Sequence, residues 1–238
     1  MENGRMPFPC ASIRLFMLGP GTSISHDAIK NLADSGCDIQ FVGEQGVRMY
    51  AHAEPLTKAS NNILKQAVLV SNITYRTLVA KKMYKFRFQE PILPNDNISI
   101  LRGKEGARIR QCYAEQSALY GVEWKGRQYV PADWDNQDDI NKALSTASAA
   151  MYGICRAAIS AMGYSPALGF IHTGHMHSFV FDIADLYKTQ ITIPLAFEVT
   201  ANKPKNLASS IRTHMRDYLK THDLMKNIVK DIHFILDI

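Results

Sequence analysis

The sequence predicts an α+β fold in which a small β-rich N-terminal domain, residues 1–54, precedes a larger all-α domain, residues 58–238. The chain of 238 residues is long enough for one large domain or two small ones. Short apolar runs separated by glycine-rich turns occupy the first 54 residues, as expected for strands. After residue 58 the apolar residues recur mainly at intervals of three and four, which indicates helices.

The N-terminal segment is predicted to form a strand, a helix and a hairpin. The apolar run Ser12–Leu18 ends at a Gly-Pro-Gly turn, and the segment Ser25–Ser35 is a short helix for which Ser25 provides the cap. Two further strands, Ile39–Val42 and Val47–Ala51, are expected on either side of a Gly-Glu-Gln-Gly loop. These elements predict a small β-rich unit that contains one short helix.

Helical spacing dominates the remainder of the chain. Segment 58–89 is predicted to be helical, and one apolar face is expected to pack in the core. That face consists of Leu64, Val68, Tyr75 and Leu78. Further helices are expected over Glu105–Tyr120, from Asn136 or Asp138 to Gly163, over Phe181–Thr189, and over Ser209–Ile235 as one or two helices. The helix that ends at Gly163 has a clear apolar stripe, and its Ala, Ser and Gly residues predict close neighbours on several sides.

The composition limits the classes of protein to which the chain can belong. Hydrophobic residues make up 46% and charged residues 21%, which excludes disorder or a fibrous repeat over most of the length. The four cysteines form no CxxC pair, so free thiols in a reducing cytosol are expected rather than a zinc ribbon or a disulfide scaffold. No signal peptide is predicted, and the apolar stretch 157–181 is too interrupted to span a membrane.

Positive charge is concentrated in one part of the chain, although the net charge is only +5. Residues 58–89 contain seven bases and no acid, and the window 55–110 holds 11 of the 27 bases with only three acids. A segment this basic cannot neutralise itself through pairs along one helix, so its exposed face needs anions from elsewhere. Two interpretations stay open at this point: a solvated basic face, or a surface for a polyanion such as DNA.

A carboxylate that suits metal binding lies within this basic region. Glu105 follows Arg102 and Lys104 and precedes Arg108 and Arg110, and the surrounding cations favour its ionised form. An ionised carboxylate is a ligand for a hard cation. A glutamate near the start of a helix also interacts favourably with the helix dipole, and this second interpretation stays open.

Three histidines, His172, His175 and His177, fall within six positions. On a strand, His175 and His177 would share one side, whereas His172 is less constrained. A zinc site made of histidines is one interpretation, and histidines that form hydrogen bonds at the surface or in the core are another.

Two acids and a lysine follow these histidines at intervals of three. A helix would present Asp182, Asp185 and Lys188 on one side. Because a buried unpaired carboxylate is costly, this stripe needs a partner, which is either a divalent cation or Lys188 itself. A mixed oxygen and nitrogen set of Glu105, His172 and Asp185 suits Mg²⁺ or Mn²⁺ better than zinc.

At these residues the chain resembles a known family, the integrase subunit of CRISPR spacer acquisition, and in particular that of type I-E systems. The matching motifs are colinear from Gly19 to Val199, about three quarters of the chain, and their joint order and separation are highly specific. They are GPGTSISHDAI, FVGEQGVRMYA, KKMYKFRFQEP, LRGKEGARIRQCYA, GRQYVPADW, SAAMYGICRAAISAMGYSPALGFIHTG and SFVFDIADLYK.

The resemblance implies a metal-dependent DNA endonuclease and integrase with an all-α catalytic domain. In the implied reaction, the 3′-OH of a short prespacer duplex attacks a phosphodiester in the CRISPR repeat. The resemblance also implies Mg²⁺ or Mn²⁺ as cofactor, a homodimer, a small ferredoxin-like partner subunit in a larger complex, and the cytoplasm of a prokaryote. The β-rich domain is expected to be shorter than is usual in the family. The alternatives are a stand-alone structure-specific nuclease and an inactive DNA-binding scaffold.

Roles for individual residues follow from the same resemblance. It implies that Glu105, His172 and Asp185 bind the metal ion and that Asp182 and Lys188 complete the catalytic site. A further set is expected along the DNA path, from the resemblance and from the basic segment: Arg48, Arg76, Lys81, Lys82, Arg87, Arg102, Arg108, Arg110, Arg127, Tyr129, Trp134, Tyr152 and His175. His175 stands where related sequences tend to carry a lysine.

Overall fold

The computed structural model describes residues 9–46, 48–53, 59–88, 92–93, 95–128 and 137–238. It confirms the α+β class, with a three-stranded sheet near the N-terminus followed by helices. The strands are β1 (Leu15–Leu18), β2 (Asp38–Val42) and β3 (Met49–Ala53). The helices are α1 (His26–Asp34), α2 (Asn61–Ser71), α3 (Ile73–Phe88), α4 (Ile98–Tyr120), α5 (Asp139–Ala161), α6 (Ser178–Asp185), α7 (Ile193–Ala201), α8 (Leu207–Thr221) and α9 (Leu224–Leu236). None of these helices has the length and apolar character needed to cross a bilayer.

The sheet has the order β1-β2-β3, and each of its strands overlaps a segment that the sequence predicts to be a strand. Strands β1 and β2 are parallel and are connected by α1, which begins where the Ser25 side chain accepts a hydrogen bond from the Ala28 amide at 3.2 Å. Strands β2 and β3 are antiparallel and are joined through a 3₁₀ turn over Glu44–Gly46. The predicted start of β3, Val47, lies outside the described residues, and the strand itself runs from Met49 to Ala53.

The sheet and the helical region are in contact. Arg156 Nη2 on α5 lies 2.9 Å from His52 Nδ1 on β3, and Arg212 Nη2 on α8 donates to Glu44 Oε2 at 3.3 Å. The predicted domain boundary at residues 54–58 lies outside the described residues.

The segment predicted as one helix over 58–89 contains a break at Asn72. The Asn72 Oδ1 atom accepts hydrogen bonds from the amides of Thr74 and Tyr75 at 2.9 and 3.2 Å, so it caps α3 directly after α2 ends. The helical phase is lost at this residue, and the apolar spacing on its two sides does not form one continuous stripe.

The prediction that Leu64, Val68, Tyr75 and Leu78 pack in the core is wrong, because all four are exposed, Leu64 by 60%. The buried face of α2 contains Gln66 instead. The Gln66 amide donates to the carbonyls of Ser165 and Leu168 and accepts from the Ser165 amide, so a polar residue fixes the orientation of this helix.

Helix α5 forms the centre of the helical core, as its apolar stripe predicts. It packs against α6, α7, α8 and α9, and its small residues Ala143, Ala147 and Ala157 are completely buried. The close neighbours predicted on several sides are therefore present. Asp138 caps the helix by accepting a hydrogen bond from the Asn141 amide at 2.8 Å.

Helix α4 starts seven residues before its predicted start at Glu105. The Asn97 side chain accepts a hydrogen bond from the Ile100 amide at 2.9 Å, and the helix ends at Gly121 in the left-handed conformation. Glu105 therefore lies inside the helix, and the interpretation of this residue as a helix N-terminal glutamate is wrong.

The predicted helix Phe181–Thr189 is replaced by three elements. Helix α6 ends at Asp185, a π-helical turn covers Lys188–Thr192, and α7 follows. Helix α7 has no counterpart among the predicted elements. Helices α8 and α9 correspond to the predicted terminal helices and are separated at Asp223, which has a φ of +48°.

Candidate active site

A buried carboxylate organises the loop between α5 and α6. Asp182 on α6 is 1% exposed, and its two oxygens accept hydrogen bonds from the amides of Phe170, Ile171 and His172 at 2.5, 3.1 and 2.9 Å. These bonds wrap the loop around the carboxylate and satisfy its charge. The loop is also tight at Gly169, where an added Cβ would meet the Ser178 backbone carbon at 2.8 Å.

The same carboxylate sets the orientation of the His172 ring. His172 Nδ1 lies 2.8 Å from Asp182 Oδ1, and Nε2 lies 3.9 Å from Asp185 Oδ2. Because Asp182 accepts the hydrogen bond, Nδ1 carries the proton and neutral His172 presents the lone pair of Nε2 towards Asp185. The hydrogen bond to Asp182 raises the pKa of His172, burial opposes this shift, and the nearby carboxylates including Glu105 add to it.

Two further carboxylates share one cationic neighbour. Arg87 Nη1 on α3 donates to Glu105 Oε1 and lies 3.8 Å from Asp185 Oδ2. The other oxygen of Glu105 accepts a hydrogen bond from the Tyr84 hydroxyl at 3.2 Å, and Lys188 Nζ donates to Asp185 Oδ1 at 3.2 Å. The fold therefore brings mid-chain Glu105 to the acids that follow it by about eighty positions.

The charge and the donor types of this site fit a divalent cation. Arg87 Nη1 contacts Glu105 and lies 3.8 Å from Asp185 Oδ2, and His172 Nε2 lies 3.9 Å from the same oxygen of Asp185. A positive charge therefore already lies between the two carboxylates, and an imidazole nitrogen lies beside one of them. Within the described ranges, however, no three His, Cys, Asp or Glu side chains are arranged as a ligand set. Metal binding by Glu105, His172 and Asp185 therefore stays a prediction.

The predicted ion pair within the acidic stripe exists in part. Lys188 contacts Asp185, whereas Asp182 contacts His172 and the loop amides. The three histidines do not form a strand, because residues 174–177 form turns. The His175 Nδ1 atom instead accepts a hydrogen bond from the His177 amide at 3.0 Å.

Two predicted DNA-binding arginines support the loop that carries His172. Arg76 Nε donates to the Phe170 carbonyl at 2.8 Å, and Arg102 donates to the Ile171 carbonyl. These contacts come from α3 and α4 and tie both helices to the loop. The two arginines therefore have a positioning role whether or not they also touch DNA.

Other predicted DNA-binding residues have internal partners. Lys82 donates to the carbonyls of Phe234 and Asp237 at the end of α9, which is a favourable position for a cation. Arg127 donates to Asn141 Oδ1 and Ser145 Oγ, both at 2.9 Å. The expectation that Arg87 lies on an exposed basic face is wrong, because its side chain is 3% exposed.

The remaining predicted DNA contacts differ in their exposure. Arg48, Arg110 and His175 are exposed, as is Arg102, whereas Lys81 and Arg108 are half-buried. The Arg108 guanidinium lies over the Phe88 ring at 4.5 Å. Tyr129 and Trp134 lie outside the described residues.

Aromatic rings line one side of the site. The Tyr152 ring lies edge-on to Phe181 at 5.0 Å, and the rings of His172 and His175 lie 5.8 and 5.1 Å from Phe181. Burial raises the pKa of Tyr152 to about 12, so its phenol stays protonated at neutral pH.

Sequence reasoning missed Tyr84, Phe181 and the internal role of Arg87. Tyr84 and Arg87 are three residues apart on α3 and both reach Glu105. Their i, i+3 spacing was the available signal, but it does not show which helix faces them. Phe181 lies directly beside Asp182 in a helix that the sequence places correctly only in part.

The fold and the site together define an α+β protein whose helical domain gathers carboxylates, an imidazole and a guanidinium in one polar centre. Residues 87–233 match the family model of the CRISPR associated protein Cas1. The CRISPR-associated endonuclease Cas1 of Clostridium sp. (strain SY8519) is 47% identical over 239 residues, which cover 100% of this chain and 79% of the relative. Its namesake in Escherichia coli (strain K12) is 40% identical over 232 residues, covering 98% of this chain and 76% of the relative.

Solved structures of Cas1 proteins also resemble this chain. The crystal structure of a TtCas1–DNA complex superposes with a TM-score of 0.87 at 36% identity and covers 97% of this chain and 86% of that one. A casposase bound to integration product has a TM-score of 0.63 at 14% identity, covers 90% and 80% of the two chains, and shows the shared fold alone. The chain belongs to the family of CRISPR-associated protein Cas1.

Proposed function

We propose that the chain is a metal-dependent DNA integrase and endonuclease that inserts short prespacer duplexes into a CRISPR repeat array. The observation that carries this proposal is that Glu105 and Asp185 share the neighbour Arg87, while His172 Nε2 lies 3.9 Å from Asp185 Oδ2. Family membership supports it, because the relatives are named CRISPR-associated endonucleases. The reaction is a transesterification in which a DNA 3′-OH replaces the leaving 3′-oxygen on a repeat phosphate.

Glu105, His172 and Asp185 would hold Mg²⁺ or Mn²⁺ through two carboxylates and one imidazole nitrogen. When bound, such an ion polarises the phosphoryl oxygen, activates the attacking hydroxyl and stabilises the leaving oxygen. Asp182 keeps the proton of His172 on Nδ1, so that the lone pair of Nε2 stays available to coordinate the metal ion. Lys188 lies beside Asp185 and would offset negative charge that develops on the phosphate.

Double-stranded DNA is the proposed substrate for both the prespacer and the repeat. The TtCas1 structure of the same fold was solved with DNA. The exposed cations Arg48, Arg102 and Arg110 would contact the phosphate backbone without reading bases. His175 is exposed above the Phe181 ring and would contribute a further hydrogen-bond donor.

Assembly is part of the same proposal. We infer a homodimer that acts with a small ferredoxin-like subunit, in the manner of type I-E systems, and this inference rests on the colinear motifs of the sequence. Two protomers and a partner would hold the two ends of a prespacer at a fixed distance.

A strand-transfer assay tests the proposed function. A labelled duplex with free 3′-OH ends is incubated with a repeat-containing plasmid, the partner subunit and Mn²⁺ or Mg²⁺. Glu105→Gln, His172→Asn and Asp185→Asn should each reduce joining by about a hundredfold or more, because each removes one metal ligand. Glu198→Gln, a change at an exposed carboxylate of α7, is the matched control and should retain full activity.

Two results would contradict the proposal. Wild-type turnover by all three variants would show that the site is not catalytic. Metal-dependent cleavage of branched DNA without joining would favour a stand-alone nuclease at the same residues.

A further inference from the structure

Arg87 is buried in an unusual way. Its side chain is 3% exposed, yet Nε and Nη2 have no hydrogen-bond partner within the part of the chain that the structure describes. Arginine stays protonated in proteins and carries five N–H donors, so a buried guanidinium normally forms several hydrogen bonds. The guanidinium carbon lies 5.0 Å from the centre of the Phe88 ring, which provides one favourable contact.

A single nitrogen of this group serves two carboxylates. Nη1 donates to Glu105 Oε1 and lies 3.8 Å from Asp185 Oδ2. An arginine in a structural ion pair typically uses its planar fork, with two parallel hydrogen bonds to one carboxylate. Arg87 is used instead as a point of positive charge between two anions, which is how a metal ion would be used.

Glu105 does not depend on Arg87 alone for its position. The Tyr84 hydroxyl donates to the second oxygen of Glu105 at 3.2 Å, and Lys188 holds the second oxygen of Asp185. Both carboxylates therefore keep a partner at the oxygen that Arg87 does not approach. The guanidinium can leave without releasing either of them.

We propose that Arg87 is an internal competitor of the divalent cation. It holds Glu105 and Asp185 together in the metal-free protein and must give up this position when the ion binds. This inference rests on the proposed function, because it assumes that the two carboxylates are metal ligands. Arg87 is a positioning residue, and its effect is to weaken metal binding while it stabilises the metal-free site.

Mn²⁺ binding to the full-length chain, measured by titration calorimetry, tests the inference without any activity assay. Arg87→Gln removes a charge about 4 Å from Asp185, so the variant should bind Mn²⁺ about 10- to 100-fold more tightly than wild type. Arg87→Lys keeps the charge, so its affinity for Mn²⁺ should be closer to that of wild type than the affinity of Arg87→Gln is. Lys85→Gln removes an exposed cation from α3, the helix that carries Arg87, and should stay within about threefold of wild type.

Thermal unfolding supplies a second readout. The metal-free Arg87→Gln protein should melt below wild type, because Glu105 and Asp185 lose their shared counter-charge. Saturating Mn²⁺ should raise its melting temperature more than that of wild type, because the ion replaces the missing charge. If the variant does not fold without metal, added Mn²⁺ should restore folding, and failure to do so would overturn the inference.

The outcomes separate this inference from the proposed function. Binding of Mn²⁺ by wild type, with equal or weaker binding by Arg87→Gln, would overturn the competition and leave the metal site in place. Equal tightening by Lys85→Gln would also overturn it, because the effect would then be one of overall charge. Absence of Mn²⁺ binding in both wild type and Arg87→Gln would overturn the metal site and the inference together.

Discussion

Replacement of the buried carboxylate of Asp182 should cost more stability than replacement of an exposed one. Its two oxygens accept four hydrogen bonds, three from loop amides and one from the His172 ring. In Asp182→Asn the amide group replaces one oxygen, so two of the four donors face an NH₂ group whichever way the amide points. Hydrogen bonds to a charged acceptor are worth about 1.5–3 kcal/mol each, so the expected loss is about 3–5 kcal/mol.

Chemical denaturation measures this loss directly. For a chain of this size, a loss of that magnitude corresponds to a decrease of roughly 10 °C in melting temperature. Asp217→Asn is the control, because the Asp217 side chain is 56% exposed and forms a surface ion pair with its neighbour Arg216. That change should alter stability by less than about 0.5 kcal/mol. A loss of less than about 1 kcal/mol for Asp182→Asn would refute the claim that this carboxylate organises the loop.

The remaining predictions concern pH, packing and salt. Because the pKa of His172 is raised, its protonated form stabilises the metal-free protein fully below about pH 6.5, and this stabilisation is lost as the pH rises through the raised pKa. Thermal melts from pH 5 to 9 should show that the difference in melting temperature between wild type and His172→Asn decreases as the pH rises. A constant difference would count against this assignment. Gly169→Ala should destabilise the protein by about 1–3 kcal/mol in urea, because a Cβ would meet the Ser178 backbone, whereas Gly103→Ala on α4 has open space and should stabilise it slightly. Duplex affinity should fall steeply with salt, and Arg110→Gln should reduce the slope of log K against log salt by about one; a flat plot for wild type would contradict a phosphate-binding surface.

The parts of the fold that follow local rules were predictable. The cap at Ser25 and the stripe on α5 depend on residues within a few positions of one another, and the structure confirms them. The break at Asn72 also has a local signal, because an asparagine can cap the helix that follows it. The helical spacing of the apolar residues on both sides of Asn72 nevertheless predicts one continuous face.

Elements whose orientation depends on distant partners were not predictable. The outward position of Leu64 follows from hydrogen bonds between Gln66 and residues about a hundred positions away. Helix α7 is apolar on nearly every side because it is buried against α5, so it has no stripe for the sequence to reveal.

The residues of the site also divide into those that local spacing predicts and those whose position depends on distant parts of the chain. The spacing of Asp182, Asp185 and Lys188 indicated a shared helical side, and the structure places Lys188 against Asp185. The approach of Glu105 to Asp185 depends on how α4 packs in the fold. In the sequence it was expected only from the resemblance to the family. The burial of Arg87 between Glu105 and Asp185 has no signal in the sequence, since a basic residue in a basic segment predicts an exposed side chain.

The most direct measurement of the central claim compares two prespacer duplexes that differ only at their 3′ ends. With the purified chain, the proposed partner subunit, Mn²⁺ and a repeat-containing plasmid, a 5′-labelled duplex with 3′-OH ends should become covalently joined to the plasmid. The same duplex with 3′-dideoxy ends should not. Equal transfer of both labels, or none from either while the plasmid is cut, would contradict an integrase centred on Glu105, His172 and Asp185.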